Sequence, residues 1–262
     1  YKIHMKKLKD KIQQILINSK KNNKILIIGI DGPTAAGKTT LADSLTKNLK
    51  RKYDVFTFRL DWTLKDRKTR ERSLKNFKLN NNNFYFEAED HMDLYKTTEF
   101  LKKIYKFNIS NSKQLNITLN KLYNRFGSAK NDLKIKKTFS KESIVIVEGH
   151  YSGYNEIYNY LDYNILLLAD KHELLKKKID RVKNYRDPKE TAKYFELIDV
   201  PSFINYLTRF GNNYNMIVDN SNYFEPVIKN KNYIQEWIKG NIKLTKKILP
   251  YGNLINEFNV FY

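Results

Sequence analysis

The chain has 262 residues, 41% of them hydrophobic and 14% aromatic, which is enough to bury one sizeable core and excludes a wholly disordered polypeptide. It contains no cysteine, so disulfides and thiolate metal sites are excluded, and no apolar run approaches the roughly 20 residues that span a bilayer. The formal net charge of +21 would suit a polyanionic partner, yet the lysines are dispersed and accompany abundant Asn, Ile and Tyr, as a biased codon composition would also produce.

Residues 5–20 space Leu8, Ile12, Ile15 and Leu16 on one helical face, so a short amphipathic helix is expected within an N-terminal appendage of residues 1–23. The run KILIIGID, 24–31, is nearly continuously apolar and β-branched, the pattern of a strand buried on both faces of a parallel sheet. GPTAAGKTT follows at once, and then TTLADSLTKNLKRK reads as a helix with Leu41, Leu45 and Leu49 inward. A second strand is expected over 54–60, ending at Asp61, and after an asparagine-rich stretch a helix over about 90–107. Residues 115–123 and 133–139 alternate polar and apolar positions around FGSAKND, which predicts a hairpin standing off the main sheet. Buried strands follow at 143–149, 163–170 and 215–220, with helices at about 171–184, 189–199, 202–210 and 225–239. Residues 24–240 thus form the main domain and 241–262 a C-terminal extension. Strands alternating with helices imply an α/β fold, a parallel sheet of about five strands covered by helices, with ligands beyond the carboxyl ends of the strands.

Gly32-x-x-x-x-Gly37-Lys38-Thr39 fits the phosphate-binding loop, and its setting between strand and helix is the one that motif requires. The glycines let successive N–H groups face phosphate oxygens, so Gly32, Pro33, Thr34, Ala35, Ala36, Gly37, Lys38, Thr39 and Thr40 form the nucleotide-binding segment, with Thr40 the weaker contact. Lys38 can neutralise β- and γ-phosphates, and the Thr39 hydroxyl can ligate Mg²⁺. Asp61, at a strand end beside the γ-phosphate position, either accepts the proton of an acceptor hydroxyl or caps the next turn. Glu148 closes a buried strand, where it either serves Mg²⁺ through water or pairs with a lysine. Arg181, Lys183 and Arg186 lie on the end of a helix and the turn before Pro188, as a mobile lid of about 180–200 over the phosphates or as a solvated face. The histidines at 4, 91, 150 and 172 lack ligand spacing; His150 follows Glu148 at the substrate edge, with packing as the other reading. Tyr123 and the run Phe84-Tyr85-Phe86 either stack on a base or sugar or belong to the core.

With these residues the chain resembles the uridine kinase-like branch of the P-loop kinases, relatives of phosphoribulokinase and pantothenate kinase. IGIDGPTAAGKTTLA is similar to that branch's phosphate loop, FRLDWTLKDRKTR to its second-strand acid and basic turn, IVIVEGHYS to its glutamate-glycine strand end, and RVKNYRD to its arginine-bearing lid. The agreement runs from Lys24 to Asn220. The resemblance implies a three-layer P-loop NTPase fold with a small hairpin and a lid; Asp61 as base; Thr39 and Glu148 for magnesium; and Arg181 and Arg186 closing over the phosphates. It further implies Glu87 in the place of a ribose-binding aspartate and Tyr123 in a hairpin facing the nucleobase. The chain departs from the family pattern at Asp61-Trp62-Thr63-Leu64, where Asp-x-Phe-Tyr is usual, at Glu87, and at Tyr123-Asn124 where Tyr-Asp is usual. All three departures fall on the acceptor side.

The leading expectation is an ATP- and Mg²⁺-dependent kinase acting on a hydroxyl of a small acceptor, preferentially uridine or cytidine. The same chemistry on another sugar, vitamin precursor or nucleotide is a second reading. A nucleotide-switched module on nucleic acid is a third, disfavoured because basic residues and aromatics are not interleaved in one patch. A cytoplasmic location without membrane association is expected, and self-association stays open.

Overall fold

The computed structural model describes residues 23–66, 68–70, 78–80, 83–85, 88–124, 128, 130–184, 186–222 and 225–245, together with 10, 12–14 and 17. In chain order it places β1 (Leu26–Asp31), α1 (Lys38–Leu49), β2 (Val55–Arg59), β3 (Lys78–Asn80), β4 (Asn83–Tyr85), α2 (Leu94–Asn108), β5 (Gln114–Leu122) and β6 (Leu133–Ser140). Then come β7 (Ile144–Glu148), β8 (Tyr163–Leu168), α3 (Lys171–Val182), α4 (Pro188–Tyr194), α5 (Val200–Phe210), β9 (Met216–Asp219), β10 (Val227–Lys229) and α6 (Asn232–Thr245).

The main sheet has the order β10-β9-β8-β1-β7-β2. Its five strands from β9 to β2 run parallel, as expected, and β10 adds an antiparallel edge. The α/β class and P-loop architecture read from the sequence are thus present. Every residue of β1 and β7 is buried, because helices cover both faces and only uniformly apolar strands tolerate that. Leu41, Leu45 and Leu49 of α1 are buried on one side, while α2 buries Phe100, Leu101 and Ile104. Phe100 stacks on Phe58 of β2 at 4.6 Å and 13°. Among the described residues no helix is long and apolar enough to cross a membrane.

Several boundaries differ from the sequence expectation for identifiable reasons. The helix expected at 225–239 is α6, and Val227–Lys229 instead pairs with β9. Pro226 steers Glu225 away from helix, and the β-branched residues beyond it find an unpaired sheet edge. The helix expected at 90–107 breaks at Met92 and Asp93, where Met92 bridges Leu64 and the Asp93 N–H reaches the Thr63 carbonyl at 2.7 Å. The helices expected at 189–199 and 202–210 are one run: a π-helical turn, Phe195–Asp199, joins α4 to α5. Pro201 sits in the first turn of α5, where its missing N–H is tolerated. Within the asparagine-rich stretch, β3 and β4 pair as a small ribbon that hydrophobic patterning did not show. The hairpin lies where expected, β5 and β6 pairing from Gln114↔Ser140 to Leu122↔Leu133. Of the N-terminal helix, residues 10, 12–14 and 17 are helical, with Ile12 fully buried; the rest of 5–20, and the tail from 246 to 262, lie outside the described residues.

Candidate active site

The loop after β1 is shaped by backbone that only glycine adopts freely. Gly32 has φ 151° and a Cβ there would lie 2.2 Å from the Leu167 carbonyl oxygen. Gly37, at φ 94°, is the N-cap of α1 and abuts the Asn220 side chain, whose amide donates to the Ala36 carbonyl at 2.8 Å. Because Gly37 has no capping side chain, the first N–H groups of α1 are left for an anion.

Lys38 is buried inside this loop, its ammonium donating to the Gly32 and Pro33 carbonyls at 2.9 and 2.8 Å. Burial pulls its pKa down, opposed by the negative charges of Glu148, Asp31 and Asp61, with Arg181 adding to the depression. Adjacent Thr39 donates its hydroxyl to Glu148 Oε1 at 2.9 Å. Glu148, at the end of β7, is 6% exposed; burial raises its pKa, Lys38 and the Thr39 hydroxyl lower it, and Asp61 raises it further. Two hard oxygen donors beside a buried ammonium suit a magnesium ion, which keeps most of its shell as water and phosphate. The described residues contain no cluster of three or more His, Cys, Asp or Glu suited to a metal ion.

Asp61 lies in a 3-10 turn, Leu60–Thr63, directly after β2, and is half-buried. Its neighbours lock that turn from three directions. Thr63 is fully buried and donates to the Leu60 carbonyl at 2.8 Å, and the Lys65 N–H reaches the His91 carbonyl at 2.9 Å. From the hairpin, the Tyr123 N–H donates to the Trp62 carbonyl at 2.7 Å and the Asn131 amide to the Leu64 carbonyl at 3.2 Å. Glu148 is in register with Ile30 of β1 and Arg59 of β2, which sets Lys38 and the two acids, Glu148 and Asp61, at the same carboxyl edge of the sheet.

The remaining expected residues are distributed unevenly. Arg181, near the end of α3, donates to the Thr34 hydroxyl at 3.3 Å and so already leans over the loop. Arg186 is exposed on the bend before α4, and Thr40 is exposed one residue into α1 past Thr39. His150 is half-buried, its ring 6.3 Å from Phe203 and 5.7 Å from Tyr151. Tyr123 is 7% exposed, with the Arg70 guanidinium 5.1 Å over its ring and Arg70 Nη2 3.2 Å from its hydroxyl. Glu87 and Phe86 lie outside the described residues.

Two residues escaped the sequence reading. Asn220, at the end of β9, braces the loop through Ala36, and nothing in its local pattern signals a partner nearly two hundred residues away. Asp31, fully buried, accepts hydrogen bonds from the N–H groups of Gly32 and Tyr151 and the hydroxyls of Tyr206 and Tyr214. Its signal was present: a carboxylate closing an otherwise apolar buried strand has to find donors.

The model of the phosphoribulokinase / uridine kinase family matches residues 27–223. The chain belongs to this family. It is a P-loop kinase, and the loop, Lys38 and the two acids fall within the matched span. Among solved structures it is similar to D-glycerate 3-kinase from Cryptococcus neoformans, at 11% identity and TM-score 0.59, over 85% of this chain and 99% of that one. It is also similar to a Silicibacter protein provisionally described as a fructose transport system kinase, at 15% identity and TM-score 0.52, over 73% and 89% of the two chains. These likenesses are of fold, and no curated protein matches the sequence significantly.

Proposed function

We propose that this family member transfers the γ-phosphoryl group of ATP to a hydroxyl of a small acceptor, with Asp61 as general base and uridine or cytidine as the preferred acceptor. The observation that carries the reading is one sheet edge shared by three groups: Glu148 ends β7 in register with Ile30 of β1 and Arg59 of β2, Lys38 follows the loop after β1 with its neighbour Thr39 bonded to Glu148 at 2.9 Å, and Asp61 follows β2. Asp61 takes the hydroxyl proton as the acceptor oxygen bonds to the γ-phosphorus and the bond to the bridging oxygen of ADP breaks. Lys38, already aimed into the loop, offsets the charge on the transferred group, and Arg181 adds a second cation from α3. Thr39 and Glu148 would hold magnesium, which supplies charge neutralisation between the β- and γ-phosphates.

A second reading keeps the chemistry and changes the acceptor. Tyr123 is buried with the Arg70 guanidinium over its ring, which leaves little room for base stacking there and favours a smaller hydroxylated acceptor whose anionic group meets that guanidinium. The test is ADP release from Mg·ATP across uridine, cytidine, sugars, sugar acids and pantothenate, with Asp61→Asn and Lys38→Ala as controls. Stimulation by a pyrimidine nucleoside that both substitutions abolish supports the first reading; stimulation by a sugar acid alone supports the second. If no acceptor stimulates release and Asp61→Asn leaves basal hydrolysis unchanged, Asp61 is not the base.

A further inference from the structure

The kinase chemistry above leaves unexplained a fully buried carboxylate at the mouth of the phosphate loop. Asp31 Oδ1 accepts the N–H of Gly32 at 2.6 Å and the N–H of Tyr151 at 3.1 Å. Its Oδ2 accepts the hydroxyls of Tyr206 at 2.6 Å and Tyr214 at 2.7 Å; the Gly153 N–H, which donates to the Tyr206 hydroxyl at 2.6 Å, reaches it only as a long second arm at 3.3 Å, and the Ser152 hydroxyl, 3.4 Å away, donates to Asn164 Oδ1 at 2.8 Å. A buried carboxylate is costly unless its lone pairs are satisfied, and one or two backbone donors from its own turn would have begun that task. Here the donors come instead from four separate places: the first residue of the phosphate loop, the turn after β7, Tyr206 of α5 and Tyr214 on the approach to β9.

The shared oxygen Oδ1 is the informative feature. It ties Gly32, where nucleotide phosphates are expected, to Tyr151, which follows His150 in the turn after β7. That turn is pressed against the base-bearing segment, since a Cβ on Gly149 would lie 2.6 Å from Leu60 Cβ. Tyr151 is held at φ 78°, a conformation that is costly for a non-glycine residue and persists only where its surroundings dictate it. The connection extends further. Tyr206 stacks on Tyr154 at 5.4 Å and 18°, and the Tyr154 hydroxyl accepts the Ala88 N–H at 3.2 Å, in the one-turn helix that leads to the break at Met92.

We propose that Asp31 is a positioning residue that locks the phosphate loop to the acceptor-side turn His150–Gly153, so that nucleotide bound at the first orders the second. The proposal rests on nucleotide binding by the loop. A carboxylate that merely satisfied the strand end would stabilise the fold without transmitting anything.

Hydrogen exchange of the full chain with and without Mg·ADP separates the two. In the wild type, Mg·ADP slows exchange both in the loop, 32–40, and at the amides of Tyr151 and Gly153, the latter by at least about fivefold, the lower end of typical site-to-site coupling. In Asp31→Asn, Mg·ADP still binds and protects the loop, but the effect at 151–153 falls below about twofold. Should Asp31→Asn fail to fold, Tyr206→Phe keeps the carboxylate and the ring stack while removing a phenol that both donates to Asp31 and accepts the Gly153 N–H at 2.6 Å, and it weakens the transmitted protection at least about twofold. A folded, Mg·ADP-binding variant with wild-type protection at 151–153 overturns the proposal, as does a wild type that binds Mg·ADP without protecting that turn. Failure of the wild type to bind Mg·ADP overturns the nucleotide reading as well, and so is a different result.

Discussion

Thr39 donates its hydroxyl to Glu148 across 2.9 Å, joining the first turn of α1 to the end of β7 over a sequence separation of 109 residues. With the charges of Lys38 and Arg59, the bond helps a carboxylate survive at 6% exposure. It also makes Glu148 a place where stability and function oppose one another.

Replacing Glu148 by Gln should show that opposition. Its folded pKa is raised, so the group favours folding below the ordinary carboxylate value of 4.5, and that contribution is lost as pH rises through the folded pKa. At pH 7 the ionised side chain is therefore a burden that Gln removes, and the melting temperature of Glu148→Gln should equal or exceed that of the wild type. Phosphoryl transfer should fall by roughly 10²-fold or more with loss of the magnesium-facing charge. A clear drop in melting temperature at pH 7 would contradict the assignment of Glu148 as a strained, functional acid.

Asp61→Asn removes the proton acceptor but preserves the volume of the turn. Turnover should drop by about 10²–10⁴-fold while Mg·ADP affinity changes less than about threefold, because Asp61 acts on the acceptor rather than on the loop. Isothermal titration alongside steady-state kinetics reads both. Equal losses in affinity and turnover would recast Asp61 as a support of the nucleotide site.

His91 predicts an acid-sensitive stability. Burial, then the positive charge of Arg70 and a smaller push from Lys65, carry its pKa from 6.5 down to about 4, with Asp90 opposing. The unfolded chain binds its proton first, so stability is intact above about pH 6.5 and declines as pH falls through about 4, by an amount on the order of 3 kcal/mol. Thermal melts from pH 7.5 to 4 should show this decline, and His91→Gln should flatten part of it. A variant whose melting profile tracks the wild type at every pH would remove His91 from the account.

Gly32→Ala places a methyl 2.2 Å from a backbone oxygen at a φ that L-residues avoid. Neither Leu167 nor the strand end can yield cheaply, so a loss of about 3 kcal/mol is expected, or roughly 6–12 °C in melting temperature, together with loss of Mg·ADP binding. A melting temperature within about 2 °C of the wild type would mean that the loop is more pliable than its packing indicates.

Where local chemistry decides structure, the amino-acid sequence by itself was sufficient. The uninterrupted apolar runs of β1, β7 and β8, the glycines at 32 and 37 and the inward leucines of α1 specify a buried strand, a tight loop and a helix without help from distant residues. That Lys38, Thr39, Asp61 and Glu148 lie at one edge of the sheet follows from where such strands must end. Tertiary structure decided what depends on partners far along the chain. β10 forms because β9 offers it an open edge, and the break at Met92 exists because Thr63 and Leu64 bind there. Tyr123 read as either a stacking platform or core, and the fold sets the Arg70 guanidinium over its ring; Asp31 read as the end of a strand until donors from four segments gathered on it. Periodicity reports which face of an element is buried, but a hydrogen bond or a cation over a ring is a property of two residues that only the folded chain brings together.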